Sequence, residues 1–179
     1  VFLKSAGSYE NARESERDVL VCDENGYGES KELYLGNYTV QQQTAPNYYT
    51  TMQEDLNVEV EKKNGEDPEL HEIDAEKTKI ALSVTDELNS TGLEGVTFAV
   101  SNERTGITQT VTTDAAGNVL LTDLDKSTTY HIREQQTLEN YRLDNTDYTM
   151  TVAADGRIDG LSTAALSITN RMLRVSIHA

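Results

Sequence analysis

The 179-residue chain carries 31 acidic against 15 basic side chains, a formal charge of −16, with 36% hydrophobic content. Such a surface repels nucleic acid and anionic membranes, no Lys/Arg cluster offsets it, and no apolar run approaches the ~20 residues of a membrane span. The apolar content suffices for one large or two small cores. The single cysteine, Cys22, excludes an internal disulfide and, with the absence of tryptophan, weakens an antibody-type sandwich.

Along the chain, Val1-Phe2-Leu3 reads as the middle of a strand, with no signal peptide visible. Ser8–Arg17 reads as a short surface helix or an ordered loop. Alternating apolar residues rich in Val, Ile, Thr and Tyr predict strands over 18–22, 33–42, 55–61, 78–85, 95–101, 107–113, 118–122, 128–135, 147–153 and 164–170. Cys22 falls in the first of these and is expected to be a small buried hydrophobe without an activating neighbour. Asp23-Glu-Asn25-Gly-Tyr27-Gly28-Glu has the opening of a calcium loop, but the twelfth position is Tyr34 in place of Glu, so an ordinary Asx turn is expected. Asn64-Gly-Glu-Asp-Pro68 is the strongest loop signal. The domain break is expected between Asp74 and Lys79. Asp114-Ala-Ala-Gly117-Asn and Asp155-Gly156 read as hairpin turns. Ten short strands indicate an all-β chain.

Two tyrosine-centred segments repeat. Asp23-Glu-Asn-Gly26, Leu35, Tyr38, Gln42 and Tyr49 return as Asp114-Ala-Ala-Gly117, Leu124, Tyr130, Glu134 and Tyr141, at steps of 91 and 92 from Asp23 and Tyr38. That step exceeds a solenoid unit of about 20–50 residues and suits two similar small domains in tandem. The second unit opens with Ile80-Ala-Leu82-Ser-Val84 ahead of Phe98. The first starts at Phe2, its expected equivalent of Phe98, and lacks an opening strand. Leu173-Arg-Val175-Ser-Ile177 reads as the opening of a third unit, so the chain is expected to be a slice through a longer array. The expected domains are 1–75, 76–172, and a following repeat or linker at 173–179.

Period-2 alternation places Tyr130, Ile132 and Glu134 on one face, the core face, and His131 and Arg133 on the other. Leu166, Ile168 and Asn170 likewise share a face. A buried Glu and a buried Asn are costly unless they satisfy each other, and burial raises the carboxyl pKa, so a neutral Glu134 donating to the Asn170 carbonyl is the consistent arrangement.

Those residues carry a resemblance. The second unit resembles a Cna B-type domain, the prealbumin-like module of Gram-positive surface proteins and pilins. The matching pieces are Asp86, Thr91-Gly92-Leu93-Glu94-Gly95-Val-Thr-Phe98, Thr113-Asp114-Ala-Ala-Gly117, Tyr130-His-Ile-Arg-Glu134, Tyr141, Tyr148-Thr-Met-Thr-Val152 with Asp155-Gly156, and Ile168-Thr-Asn170. The first unit is similar to the same family less completely. The resemblance implies two tandem prealbumin-like, Ig-like Greek-key β-sandwiches, the first lacking its opening strand. It also implies the remains of an intramolecular isopeptide site, in which an opening-strand lysine attacks a last-strand Asn or Asp beside a proton-shuttling Glu. By position, Glu134 matches the Glu and Asn170 the Asn. The lysine place, two residues before Asp86, holds Val84; Lys77 lies earlier and Lys79 points to the opposite face. In the first unit the Glu place is Gln42, and Asp74 lies near the last-strand place.

No catalytic constellation, cofactor or metal site is read. His71, His131 and His178 are far apart, and there is no phosphate loop or nucleophile elbow. The expected function is a non-enzymatic stalk of a bacterial surface adhesin or pilin-like protein, extracellular and wall-attached through other parts of the parent. Its partners would be neighbouring repeats, with no nucleic acid and no membrane insertion. The alternative is a binding module holding a host protein or glycan through exposed tyrosines such as Tyr34 and Tyr48-Tyr49, or through acidic loops.

Overall fold

A computed structural model describes residues 1–62 and 70–175. The loop expected at Asn64–Pro68, His178 and the last residues of the expected third-unit strand lie outside the described residues. Among the described residues there are ten strands: β1 (Phe2–Leu3), β2 (Gly36–Val40), β3 (Leu56–Val60), β4 (Lys79–Asp86), β5 (Thr97–Asn102), β6 (Thr108–Thr112), β7 (Asn118–Leu121), β8 (Thr128–Gln136), β9 (Asp147–Val152) and β10 (Thr163–Asn170). The all-β class read from the alternation holds. The chain divides into two compact units, one of Val1–Thr44 with Thr51–Asp74 and one of Ala45–Thr50 with Ala75–Ala179.

The first unit contains a three-stranded sheet in the order β1-β2-β3, antiparallel throughout. Tyr38 is its central buried side chain, with Phe2 and Ala12 also buried. The strand expected at 18–22 does not form: Val19, Val21 and Cys22 are exposed. A strand needs a partner ladder and a covered face, and this segment has neither beyond the Asp18 pairing to Val1. Cys22 is therefore not the buried hydrophobe expected. Ser8–Arg17 is mostly irregular, with one 3-10 turn at Glu14–Glu16. Arg17 lies over the Tyr9 ring, 4.8 Å from its centroid, and donates to the Tyr9 carbonyl.

The register also moves one equivalence. With Tyr38 set on Tyr130, Thr39 corresponds to His131; Thr39 pairs with Phe2, and His131 pairs with Ser101. Phe2 thus takes the ladder place of Ser101, not of Phe98.

The second unit is a two-sheet sandwich. One sheet has the order β10-β4-β7, the other β6-β5-β8-β9. β4 alternates half-buried and buried along its whole length, the signature of one face turned to a core. Ile80, Leu82 and Val84 from β4, Ala164 and Ile168 from β10, and Leu121 from β7 meet Phe98 and Val100 of β5, Ile132 of β8 and Val152 of β9 in one cluster. Each large side chain buried there contributes about 1.5–3 kcal/mol of transfer free energy. β4 and β10 pair in parallel over eight positions, from Lys79 with Thr163 to Asp86 with Asn170. The unit therefore holds its first and last strands side by side.

The repeated Asp–Gly motif forms the same turn in both units. Asp23 Oδ1 accepts the amides of Asn25 and Tyr27, and Asp114 Oδ1 accepts those of Ala116 and Asn118, each at 2.9 Å. In both, the glycine amide returns to the aspartate carbonyl with φ near the left-handed value, 81° at Gly26 and 78° at Gly117. The repeated tyrosine also has a shared role. Tyr38 Oη donates to the Tyr34 carbonyl, and Tyr130 Oη accepts the Asp125 amide, each tying the strand to chain a few residues upstream.

Candidate functional site

Glu134 reaches the core because β8 alternates and because Phe98 of β5 stands opposite it in the ladder. A bulge beyond that pair, where Thr97 meets Gln136, leaves Gln135 and Gln136 exposed. Asn170 is the last residue of β10, on the inward face two places after Ile168. Both side chains are buried. Asn170 Nδ2 lies 3.0 Å from each Glu134 carboxyl oxygen and 2.9 Å from Thr137 Oγ1. The contact crosses from one sheet to the other, so it bridges the sandwich as well as pairing two polar groups.

Burial pushes the Glu134 carboxyl above its ordinary range, against the opposing pull of hydrogen bonds from Asn170, the Asp144 backbone and Thr137. A raised carboxyl pKa is what a proton shuttle near neutrality requires. Asn170 Oδ1, the atom expected to accept from a neutral Glu134, is buried and has no hydrogen-bond partner among the described residues. An orphaned acceptor costs about 1–3 kcal/mol, so the site carries an unmet polar demand.

Val84 is fully buried on the inward face of β4, in register with Ile168 and two residues before Asp86, whose partner is Asn170. Two residues of strand span roughly 6.6 Å, a distance that an extended lysine side chain covers. Lys79 is half-buried on the other face, and Lys77 Nζ is held 2.8 Å from Asp123. Neither amine is directed at the Glu134–Asn170 pair. Asp86, also buried, accepts the Tyr141 hydroxyl at 2.6 Å and the amides of Leu88 and Asn89, which hold its carboxyl below the usual range. Sequence reasoning singled out Tyr141 and Asp86 separately but not their contact. It also missed Thr137, which lies just past the end of β8.

In the first unit, Gln42 lies beyond the end of β2 and accepts the Met52 amide at 2.8 Å through Oε1. His131 is on the outer face of β8, 2.9 Å from Asp147, which Arg133 also contacts. His71 is exposed. Among the described residues, no three His, Cys, Asp or Glu side chains converge as a metal set.

A second repeated construction accompanies the tyrosines Tyr49 and Tyr141. Within the second unit, the Tyr49 amide donates to the Pro46 carbonyl, Thr50 to Glu76, and Thr78 to Tyr48, so Tyr49 bridges Lys77. Further on, Tyr141 donates to Leu138, Arg142 to Arg171, and Leu173 to Asn140, so Tyr141 bridges Met172. Every donor and acceptor in the first clasp maps onto the second at a step of 92 on one arm and 95 on the other. At the latter step Ala75, not Asp74, corresponds to Asn170, and both Asp74 and Ala75 are exposed. The first unit therefore has no carboxyl or amide at that place.

Residues 78–163 match the family model of the SpaA prealbumin-like fold domain. No curated protein matches the chain. Among solved structures, the C-terminal fragment of the pilus adhesin SpaC from Lactobacillus rhamnosus GG is similar over 84% of this chain and 81% of that one, at 16% identity and a TM-score of 0.50. The Bacillus anthracis TIE protein is similar over 86% of this chain at 20% identity and a TM-score of 0.48. GBS52, a minor pilin of Streptococcus agalactiae, is similar over 57% of this chain at 16% identity and a TM-score of 0.47. The chain spans 28% of the TIE protein's length and 47% of that of GBS52. At these identities the SpaC likeness speaks for the fold alone.

Proposed function

The second unit is, over residues 78–163, a SpaA-type prealbumin-like domain, and from that premise we propose that the chain is a non-enzymatic stalk of a Gram-positive surface protein of pilin or adhesin type. It would work outside the cell as tandem domains, 1–75 and 76–172, with no intramolecular isopeptide bond in the second. The observation that carries this reading is the eight-position parallel ladder between β4 and β10. Tension enters this unit ahead of β4 and leaves after β10. In parallel neighbours, pulling on opposite ends shears the whole ladder at once instead of unzipping it bond by bond.

Glu134 and Asn170 sit at the exit end of that ladder, where a covalent link would lock the clamp. With Val84 at the lysine place there is no amine to attack Asn170 Cγ, and resistance rests on the ladder and the core. The test is intact-protein mass spectrometry of the wild type and of Val84→Lys. The wild type should keep its full mass. In Val84→Lys, the new amine should displace ammonia from the Asn170 amide, and the product should lack the mass of one ammonia. A wild type already lacking that mass refutes the absence of the bond. A Val84→Lys protein of full mass refutes the assignment of Glu134 and Asn170. For the stalk itself, extension by force spectroscopy should meet a distinct resisting event at the second unit; smooth extension at negligible force would sink the reading.

A further inference from the structure

We propose that the clasp formed by Leu138–Arg142 and Arg171–Leu173 is a docking surface for the loop end of a further prealbumin-like domain. The inference rests on the stalk reading and deepens it by naming the contact between repeats.

The earlier clasp shows what such an element does. Within the second unit, Pro46–Thr50 and Glu76–Thr78 sit on two loops, Asp123–Lys126 and Ala153–Arg157. Asn47 Nδ2 donates to Asp125 at 2.6 Å, Lys126 Nζ donates to the Ala45 carbonyl at 3.0 Å, and Lys77 Nζ pairs with Asp123. Thr78 Oγ1 donates to the Gly156 carbonyl. At Gly156 a Cβ would lie 2.6 Å from the Tyr49 carbonyl oxygen, so the fit leaves no room for a side chain. These loops form a socket and the clasp fills it. The clasp strand then runs from Thr78 directly into β4.

The later clasp repeats the backbone pairing bond for bond, but no described residue closes over its outer side chains. Thr78 is 0% exposed, and Leu173, its equivalent, is 64% exposed. Ile80 is 0% exposed, and Val175, its equivalent at the same step of 95, is 90% exposed. Thr50 is buried, and Arg142 is exposed. Apolar side chains thus stand bare at the places whose counterparts are closed over. The charges also suit an acidic socket. Where the first clasp sends Lys77 to Asp123, the second presents Arg142 and Arg171, the latter now held by Glu87. A second copy of this chain does not offer the partner surface, because its own socket is filled by Pro46–Thr50. The occupant is therefore a separate domain of the same kind, with an open socket carrying acidic side chains like Asp123 and Asp125.

The test extends the full chain after Val175 with a second copy of residues 81–175, which brings one open socket. Met172→Lys in the original clasp is set to meet Asp123 of the added copy, mirroring the native Lys77–Asp123 pair. A carbodiimide joins an amine to a carboxylate in contact as an amide, with net loss of water and no added length. The native Lys77–Asp123 link is the positive control. The expected result is both links by peptide mass mapping, with amide exchange at Arg142 and Leu173 slowed at least tenfold on extension. The Lys77–Asp123 link alone, with the added copy's β8 amides protected, overturns the proposal. Failure of the added copy to fold also overturns it, since its loops are those the original unit already folds with. Self-association of the unextended chain with Leu173 protected overturns it as well, by making a second copy the occupant. The cross-link reads docking without load, so its failure leaves the force measurement on the stalk reading untouched.

Discussion

Glu134 and Asn170 stand on opposite sheets of the second unit and meet at 3.0 Å, two residues along the ladder from the fully buried Val84. The contact is a polar bridge between the sheets, with the Asn170 amide oxygen unpartnered among the described residues. In the proposed function the pair is the Glu and Asn of a cross-linking site whose lysine place is Val84.

Restoring the nucleophile should change mechanics as well as mass. In Val84→Lys carrying the bond, the chain between residues 84 and 170 is closed into a loop that tension does not enter. Force spectroscopy should show the second unit contributing almost no extension after its first yield, where the wild type releases its full length. Val84→Lys combined with Glu134→Gln should form no bond. It should also be less stable than wild type, because an unreacted amine is then buried among apolar side chains.

The Glu134 carboxyl gives a pH dependence of definite sign. Its folded-state pKa is raised by burial, so the folded chain holds this proton more tightly than the unfolded chain does. Its contribution is fully present below the unfolded value of about 4.3 and is lost as pH climbs through the raised folded value. Glu134→Gln, which cannot ionise, should gain stability relative to wild type between pH 4 and pH 7 in urea titrations. A difference independent of pH would show that the carboxyl has the same pKa in the folded and unfolded chain.

Asp86 should act in the opposite direction. The Tyr141 hydroxyl and two loop amides depress its folded pKa, so its stabilisation is present above the unfolded aspartate value of about 3.9 and lost as pH falls below it. Tyr141→Phe removes the foremost of these donors. The acid-unfolding midpoint of the second unit should then move to higher pH, with little change near pH 8 in the slope of stability against pH.

The two repeated turns should respond differently to one substitution. Gly26 and Gly117 share a left-handed backbone, but a Cβ at Gly26 meets open space, whereas at Gly117 it would lie 2.4 Å from the Val84 carbonyl oxygen. Gly26→Ala should cost about 1–2 kcal/mol, the left-handed penalty alone. Gly117→Ala should cost more, because backbone of β4 must also move. Amide exchange at β2 and β8 would report the two costs separately; equal costs would contradict the crowding.

Phe98 is fully buried and pairs with Glu134 in the ladder. Phe98→Ala should destabilise the second unit by about 3–5 kcal/mol in chemical denaturation, the usual range for emptying a large aromatic site. A loss below about 1 kcal/mol would mean that the sheets close over the gap.

Much of this was legible in the residues themselves. Alternation along Tyr130, Ile132 and Glu134 fixed the inward face of β8, and Asp114 and Gly117 fixed their turn, because both depend on backbone geometry within a few residues. Nine of the ten expected strands form. The exception, 18–22, has the right composition, but a strand also requires a neighbour to complete its hydrogen bonds, and composition does not name one. The same limit hid the clasps. Tyr49 and Tyr141 were visible as a repeat, but their partners Lys77 and Met172 lie about thirty residues away and carry no matching signature. The cost of burying either alone predicts the pairing of Glu134 with Asn170, but not that the Asn170 amide donates or that Thr137 joins it. Local pattern settled which side chains turn inward. Only the packing of one sheet on the other decided which of them meet, since that choice rests on long-range closure of the chain.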